Sequence, residues 1–215
     1  MFILNQEASI ANQYLAELRD VTQQQDRLRF RLNLQRLGAL LAYEMSKTLP
    51  YALQTIQTPL SRHEVLLPIT QPVLVPILRA GLPFYDGFVQ VFDRADSGFV
   101  GAFRAPHLAA HDLRIELTYQ AAPAVAGRTL IVMDPMLASG KSMVQTLHAL
   151  CADQKPKHVH IAAVIAAPEG VAYLKENLQL TYSLWVAALD EGLNEKAYIV
   201  PGLGDAGDLS YGEKL

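Results

Sequence analysis

Three short segments carry the residue types and spacings suited to chemistry. In the first, Thr129-Leu-Ile-Val-Met-Asp134-Pro-Met-Leu-Ala-Ser139-Gly140-Lys141-Ser142, an apolar run of strand length ends in an acid and a loop of small residues opens a helix. A helix N-terminus presents free N–H groups and a positive dipole end to an anion, and ligands of open α/β sheets bind at the carboxyl ends of the strands. A phosphate fits the turn formed by Pro135, Met136, Leu137 and Ala138, with hydroxyl donors at Ser139 and Ser142, close backbone approach at Gly140 and charge from Lys141. Asp134, at the strand tip, is placed to accept from sugar hydroxyls. Ser139 as a plain helix cap would leave the acid, glycine and lysine unexplained. Gly140-Lys141-Ser142 also reproduces the end of a P-loop, but that motif needs a glycine where Pro135 stands.

The second segment, Val75-Pro-Ile-Leu-Arg79-Ala-Gly81, is another strand end meeting a turn, and the planar fork of Arg79 suits a pyrophosphate; a structural ion pair is the alternative. Arg104 follows the run Phe99 to Phe103 and would reach a strand end too. The third, Tyr198-Ile-Val-Pro-Gly202-Leu-Gly204-Asp205-Ala206-Gly207-Asp208, interleaves glycines with two acids. It suits neither helix nor strand and points to backbone lying close to a ligand, an ordinary surface loop being the alternative.

These segments need a frame. The chain has 215 residues, 51% hydrophobic and 18% charged, with formal charge −3 and a single cysteine, Cys151. That composition excludes bulk disorder, an internal disulfide and a four-cysteine zinc site, and gives no electrostatic reason to expect nucleic acid. No apolar run approaches the ~18 residues of a membrane span, and the start lacks a basic-then-apolar signal, so a cytoplasmic protein without a membrane partner is expected. Apolar residues between Glu7 and Lys47 recur at helical steps (Leu15, Leu18, Leu28, Leu34, Leu37, Leu41, Met45), giving two helices with a break near Thr22 to Asp26. Strands are expected at Val73–Leu78, Thr129–Met133, Val159–Ala166 and Tyr182–Leu189, and helices near Leu82–Phe92, Lys141–Ala152 and Pro168–Asn177. The alternation predicts an α/β fold with a mostly parallel central sheet flanked by helices. One domain is expected over 1–215, with a helical addition over about 1–50, a hairpin or flap over about 104–127, where Leu113 to Tyr119 alternates like an exposed strand, and a C-terminal segment from about 190. His107, His111 and Asp112 have metal-ligand spacing but lie in the expected flap, His158 and His160 read as surface polarity at a strand entrance, and Cys151 as a small buried hydrophobe.

Taken together, the three segments resemble the uracil phosphoribosyltransferase family. Val75 to Gly81 looks like its pyrophosphate loop, Asp134 to Ser142 like its phosphoribosyl-diphosphate signature, and Tyr198 to Asp208 like its uracil-binding segment, the most specific of the three. Ala167-Pro-Glu-Gly170, Gly192-Leu-Asn-Glu195 and, more weakly, Leu41-Ala-Tyr-Glu44 also match. The resemblance implies a phosphoribosyltransferase-like fold with a C-terminal base-binding hood, and a reaction of uracil with 5-phosphoribosyl 1-diphosphate giving UMP and diphosphate. Arg79 and Arg104 would then bind diphosphate, and Asp134 to Ser142 the 5-phosphate and ribose. Ile199, Gly204, Asp205 and Ala206 would read uracil, Asp205 also touching the phosphoribosyl substrate. It further implies Mg2+ carried by the diphosphate, a homodimer or larger homo-oligomer for which the N-terminal helices could supply an interface, and GTP as an effector in some relatives. Two other readings stand beside it: a pyrimidine-sensing regulator that binds RNA, and a nucleotide-binding homologue without turnover.

The chain departs from the family in three places. Ala138-Ser-Gly-Lys-Ser142 replaces Ala-Thr-Gly-Gly-Ser, Leu117-Thr-Tyr119-Gln-Ala-Ala-Pro123 lacks the flap lysine, and Leu209 stands where a basic residue is frequent. Lys141 is expected to add phosphate affinity unless position 141 needs a positive φ.

Overall fold

A computed structural model describes residues 1–104 and 115–213, with the backbone alone for 102–104 and 115–118. In chain order the elements are β1 (Phe2–Ile3), α1 (Ile10–Arg19), α2 (Arg27–Ser46), β2 (Tyr51–Gln57), β3 (Arg62–Pro68), β4 (Val73–Leu78), α3 (Gly81–Val91), β5 (Asp96–Ser97), β6 (Phe99–Arg104), β7 (Ile115–Ala121) and β8 (Thr129–Met133). There follow β9 (Met136–Leu137), α4 (Lys141–Cys151), β10 (His158–Ala166), α5 (Pro168–Asn177), β11 (Tyr182–Leu189), β12 (Gly192–Leu193), β13 (Ile199–Val200) and α6 (Ala206–Tyr211).

The main sheet runs β1-β11-β10-β8-β4-β6-β7, parallel except for β7, which returns antiparallel to β6. Its central strands are apolar on both faces because helices cover both. Leu74, Ile131, Ala162 and Trp185 pack toward α1, α2 and α3. Their neighbours Val75, Val132, Ile161 and Val186 face the other way, with Leu147 and Leu150 of α4 and Leu174 of α5. The period of two along each strand thus sorts the side chains into two cores.

The N-terminal helices form where the periodicity put them. Ser9 caps α1, its hydroxyl accepting from the Ala11 amide, and Asp26 caps α2 by accepting from Arg29 N–H at 3.0 Å. A 3-10 turn over Gln23–Gln25 separates them. Glu17 fastens one to the other, accepting from Asn33 at 2.7 Å, Gln13 and Arg29, and these hydrogen bonds, Asn33 first, hold its carboxyl down to about 2. Leu28, counted with the apolar stripe, stands 60% exposed on the outer side of α2. Where α2 crosses α3, Gly38 faces Gly87: a Cβ on Gly87 would overlap the Gln35 carbonyl and reach 2.5 Å from the Ala39 nitrogen. Only two glycines let these backbones come so close.

Some elements were not anticipated. Strands β2 and β3 pair as a separate hairpin off the main sheet, with Leu53, Leu60 and Leu66 exposed, and β1 adds an edge strand beside β11. The histidines of β10 correct a reading: His160 is buried, accepts from the Trp185 indole N–H at 3.0 Å, and is lowered to about 4 by burial and by nearby His158. Phe2 packs on the same tryptophan with rings 5.1 Å apart, so His160 belongs to the core, while His158 at the strand entrance is half-buried and hydrogen-bonded to the Ser183 hydroxyl at 2.9 Å. Cys151 is half-buried against the α4–α5 core, and burial raises its thiol. No helix among the described residues is long and apolar enough to cross a membrane.

Candidate functional site

Parallel register brings the candidate residues to one edge of the sheet. Pro76 of β4 pairs with Met133 of β8, and Leu78 of β4 with Gly101 of β6, so Arg79 and Asp134 leave adjacent strands at the same end that Arg104 closes on β6. The residues after Arg104, including His107, His111 and Asp112, lie outside the described residues. The turn after Arg79 lies against β8, since a Cβ at Gly81 would stand 3.1 Å from the Met133 carbonyl oxygen.

The loop from Asp134 to Ser142 is braced from beneath. Met136 and Leu137 make a short strand against Ile165 and Ala166 of β10, and the Asp134 carboxylate accepts from the Met136 amide at 3.2 Å. Gly140 sits at φ +77 as the N-cap of α4, where a Cβ would come within 2.8 Å of the Gly170 carbonyl oxygen. The cap is therefore Gly140 rather than Ser139, and no side chain bonds the helix start. The positive φ falls on residue 140, leaving Lys141 as the first helical residue, so its side chain costs the loop no backbone strain. Pro135, Leu137 and Gly140 are buried, while Asp134, Met136, Ala138, Ser139, Lys141 and Ser142 are half-buried along the loop.

The C-terminal segment folds over this edge and is more regular than its composition predicts. Ile199 and Val200 pair with Gly192 and Leu193, and α6 begins at Ala206. Helix is possible there because Asp205 caps it, Oδ1 accepting from Gly207 N–H at 2.8 Å and Asp208 N–H at 3.0 Å. Ile199, Leu203 and Ala206 pack in the α1–α2–α3 core, while Gly204 is exposed and Asp205 half-buried.

Arg79 joins the two halves. Its Nη2 donates to Asp208 Oδ1 at 2.9 Å and to the Gly212 carbonyl at 3.3 Å, and a Cβ on Gly207 would lie 3.6 Å from it. The strand end that carries Arg79 and the glycine-rich segment are thus in contact. Three residues were missed by sequence reasoning: Asp208 as the partner of Arg79, and Arg19 with Asp190, which pair beneath the glycine-rich segment. Nothing in local spacing signals such pairs, whose members stand 129 and 171 residues apart.

A family model described as uracil phosphoribosyltransferase matches residues 6–212. The chain belongs to the uracil phosphoribosyltransferase family. It is 45% identical over 212 residues to the uracil phosphoribosyltransferase of Porphyromonas gingivalis, covering 99% of this chain and 98% of that one. It is 38% identical to that of Methanococcus maripaludis strain C5, over 93% of this chain and 84% of the relative. Among solved structures, the AQ2163 protein of Aquifex aeolicus superposes with a TM-score of 0.87 at 31% identity, covering 99% of this chain and 98% of that one. A hypoxanthine phosphoribosyltransferase from Staphylococcus aureus shares the fold, with a TM-score of 0.51 at 12% identity and 74% of each chain covered.

Proposed function

We propose that the chain is a pentosyltransferase that joins uracil to 5-phosphoribosyl 1-diphosphate, releasing UMP and diphosphate in pyrimidine salvage. The observation that carries this is the meeting of Arg79, at the end of β4, with Asp208 of the glycine-rich segment, in a chain whose family match spans residues 6–212.

In this reading Arg79 and Arg104 hold the diphosphate, Ser139 to Ser142 receive the 5-phosphate at the start of α4, and Asp134 orients the ribose hydroxyls. The main chain of Ile199 and of Gly204 to Ala206 aims N1 of uracil at the anomeric carbon, with Asp205 touching the phosphoribosyl group. As the new C–N bond forms, the bond to diphosphate breaks with its electron pair going to the leaving oxygen, and the N1 proton passes to the released diphosphate or to water. Positive charge gathers at the anomeric carbon and negative charge on the leaving oxygen, so guanidinium groups there stabilise the transition state more than the ground state. Holding the base by rigid backbone supplies the orientation, and no nucleophilic side chain is required.

In this reading Mg2+ arrives with the diphosphate. Phosphate oxygens, ribose hydroxyls and water would hold the ion, with Asp134 setting those hydroxyls, and it would neutralise charge on the leaving group. A homo-oligomer belongs to the same proposal, supported by the exposed Leu53, Leu60 and Leu66 of the hairpin and Ile10 and Tyr43 of the helices. Incubation with uracil, phosphoribosyl diphosphate and Mg2+ is expected to yield UMP and diphosphate in equal amounts. No UMP, with tight RNA binding instead, would overturn the enzyme reading.

A further inference from the structure

Gly202 lies inside the glycine-rich segment, yet side chains from outside that segment hold both of its main-chain polar groups. Its N–H donates to Asp190 Oδ2 at 3.0 Å, and its carbonyl accepts from Arg19 Nη1 at 2.9 Å. Arg19 also grips Asp190 with two nitrogens, Nη1 to Oδ2 at 2.8 Å and Nη2 to Oδ1 at 2.6 Å. One guanidinium, one carboxylate and the two main-chain polar groups of Gly202 thus close a ring of hydrogen bonds. Arg19 is the last residue of α1 and Asp190 follows β11, so the ring ties the N-terminal helix to the loop that descends from the sheet. Nearby, the Gln24 amide, with its nitrogen toward the carbonyls it faces, reaches Leu203 O at 2.9 Å and Leu18 O at 3.2 Å.

The turn that the ring holds is closed on itself. Gly202 sits at φ +67, and a Cβ there would overlap the Ile199 carbonyl oxygen, so moving Gly202 moves Ile199. Buried ion pairs gain little stability over apolar residues of similar volume, because desolvation offsets their attraction. The Asp190 side chain is 3% exposed and that of Arg19 23%. What the pair does that apolar packing would not is fix the two peptide groups flanking the Gly202 Cα in position and orientation, three residues from Ile199 on one side and two from Gly204 on the other.

We propose that Arg19 and Asp190 are positioning residues for base recognition: they hold Gly202 by both main-chain groups and thereby set the backbone that meets the pyrimidine. The inference rests on the functional reading above. It predicts a defect confined to one substrate. Steady-state kinetics of Arg19→Ala are expected to show the uracil KM raised about tenfold or more, with the phosphoribosyl diphosphate KM within about twofold of the parent. Arg19→Lys recovers part of the loss, since one ammonium cannot serve both Asp190 oxygens and the Gly202 carbonyl. Asp190→Asn shows the same split, and the double variant is no worse than the poorer single one, as two members of one ring require. If Arg19→Ala does not fold, Arg19→Lys and Asp190→Asn decide by the same ratio. A uracil KM unchanged in variants that lose only active fraction or melting temperature, or both KM values rising together, overturns the clamp and leaves the activity standing. A parent chain that makes no UMP overturns both.

Discussion

Arg79 and Asp208 meet at 2.9 Å across 129 residues of chain, so the guanidinium assigned to diphosphate is engaged by a carboxylate of the hood. Both side chains are about one-third exposed, and ion pairs of that kind contribute only about 0–1 kcal/mol. In the proposed reaction a diphosphate with Mg2+ would offer the arginine a richer set of oxygens, and Asp208 would be a weak competitor that the substrate displaces. Asp208→Asn, which removes the charge, is expected to tighten diphosphate as a product inhibitor by roughly two- to fivefold. Weaker inhibition would show instead that Asp208 helps to hold the anion.

Removing the arginine itself should act on the transition state. Arg79→Ala is expected to lower kcat/KM for phosphoribosyl diphosphate by about 10²–10³. Far-UV circular dichroism should remain that of the parent, because the side chain is largely outside the core.

Lys141 and Gly140 separate charge from backbone geometry. Lys141→Gln is expected to raise the phosphoribosyl diphosphate KM by about three- to tenfold while leaving thermal stability unchanged, since it removes only a charge-assisted donor. Gly140→Ala should abolish most activity by deforming the loop, because φ is +77 and the added carbon would stand 2.8 Å from the Gly170 carbonyl oxygen. An unchanged KM in the first variant would mean that the lysine points away from the phosphate.

His160 makes stability depend on pH. Its ordinary value of 6.5 falls to about 4 in the folded protein, chiefly through burial. As pH drops below 6.5 the unfolded chain takes up the proton first, so stability present at neutral pH is lost progressively down to about 4, by on the order of 3 kcal/mol. Protonation also turns Nδ1 from an acceptor into a donor facing the Trp185 N–H. Urea unfolding followed by fluorescence of the single tryptophan should give a steep acid decline in the parent and a shallower one in His160→Gln. Burial lowers His158 in the same direction, so the difference between the two curves isolates His160. Parallel curves would contradict the assignment.

The crossing of α2 and α3 allows a test outside the candidate site. Gly87→Ala places a carbon into the Gln35 carbonyl and against the Ala39 nitrogen, and is expected to lower stability by about 1–3 kcal/mol in denaturant unfolding. A smaller loss would mean that the helices separate at little cost.

What the order of residues determined by itself is considerable. The strands Val73–Leu78, Thr129–Met133 and Tyr182–Leu189 and the helix Pro168–Asn177 stand where periodicity and turn residues put them, because these runs carry their own signal: continuous apolar residues for buried parallel strands, and Pro168 at a helix start. The candidate anion loops stood out for the same reason, since glycine, serine, arginine and a strand-end acid point to one chemistry within a few residues, and the sheet brings their strand ends together. The hairpin of β2 and β3 was missed because its exposed leucines obscure the alternation, and α6 because a glycine-rich stretch hides a helix whose start is secured by the Asp205 cap. Tertiary structure alone decided the pairings. Asp208 against Arg79, Arg19 and Asp190 around Gly202, and His160 beneath Trp185 depend on strands and helices distant in sequence being brought into register. Charge and hydrogen bonding act over a few ångströms, so a partner more than a hundred residues away becomes a partner only once the sheet has set where each strand ends.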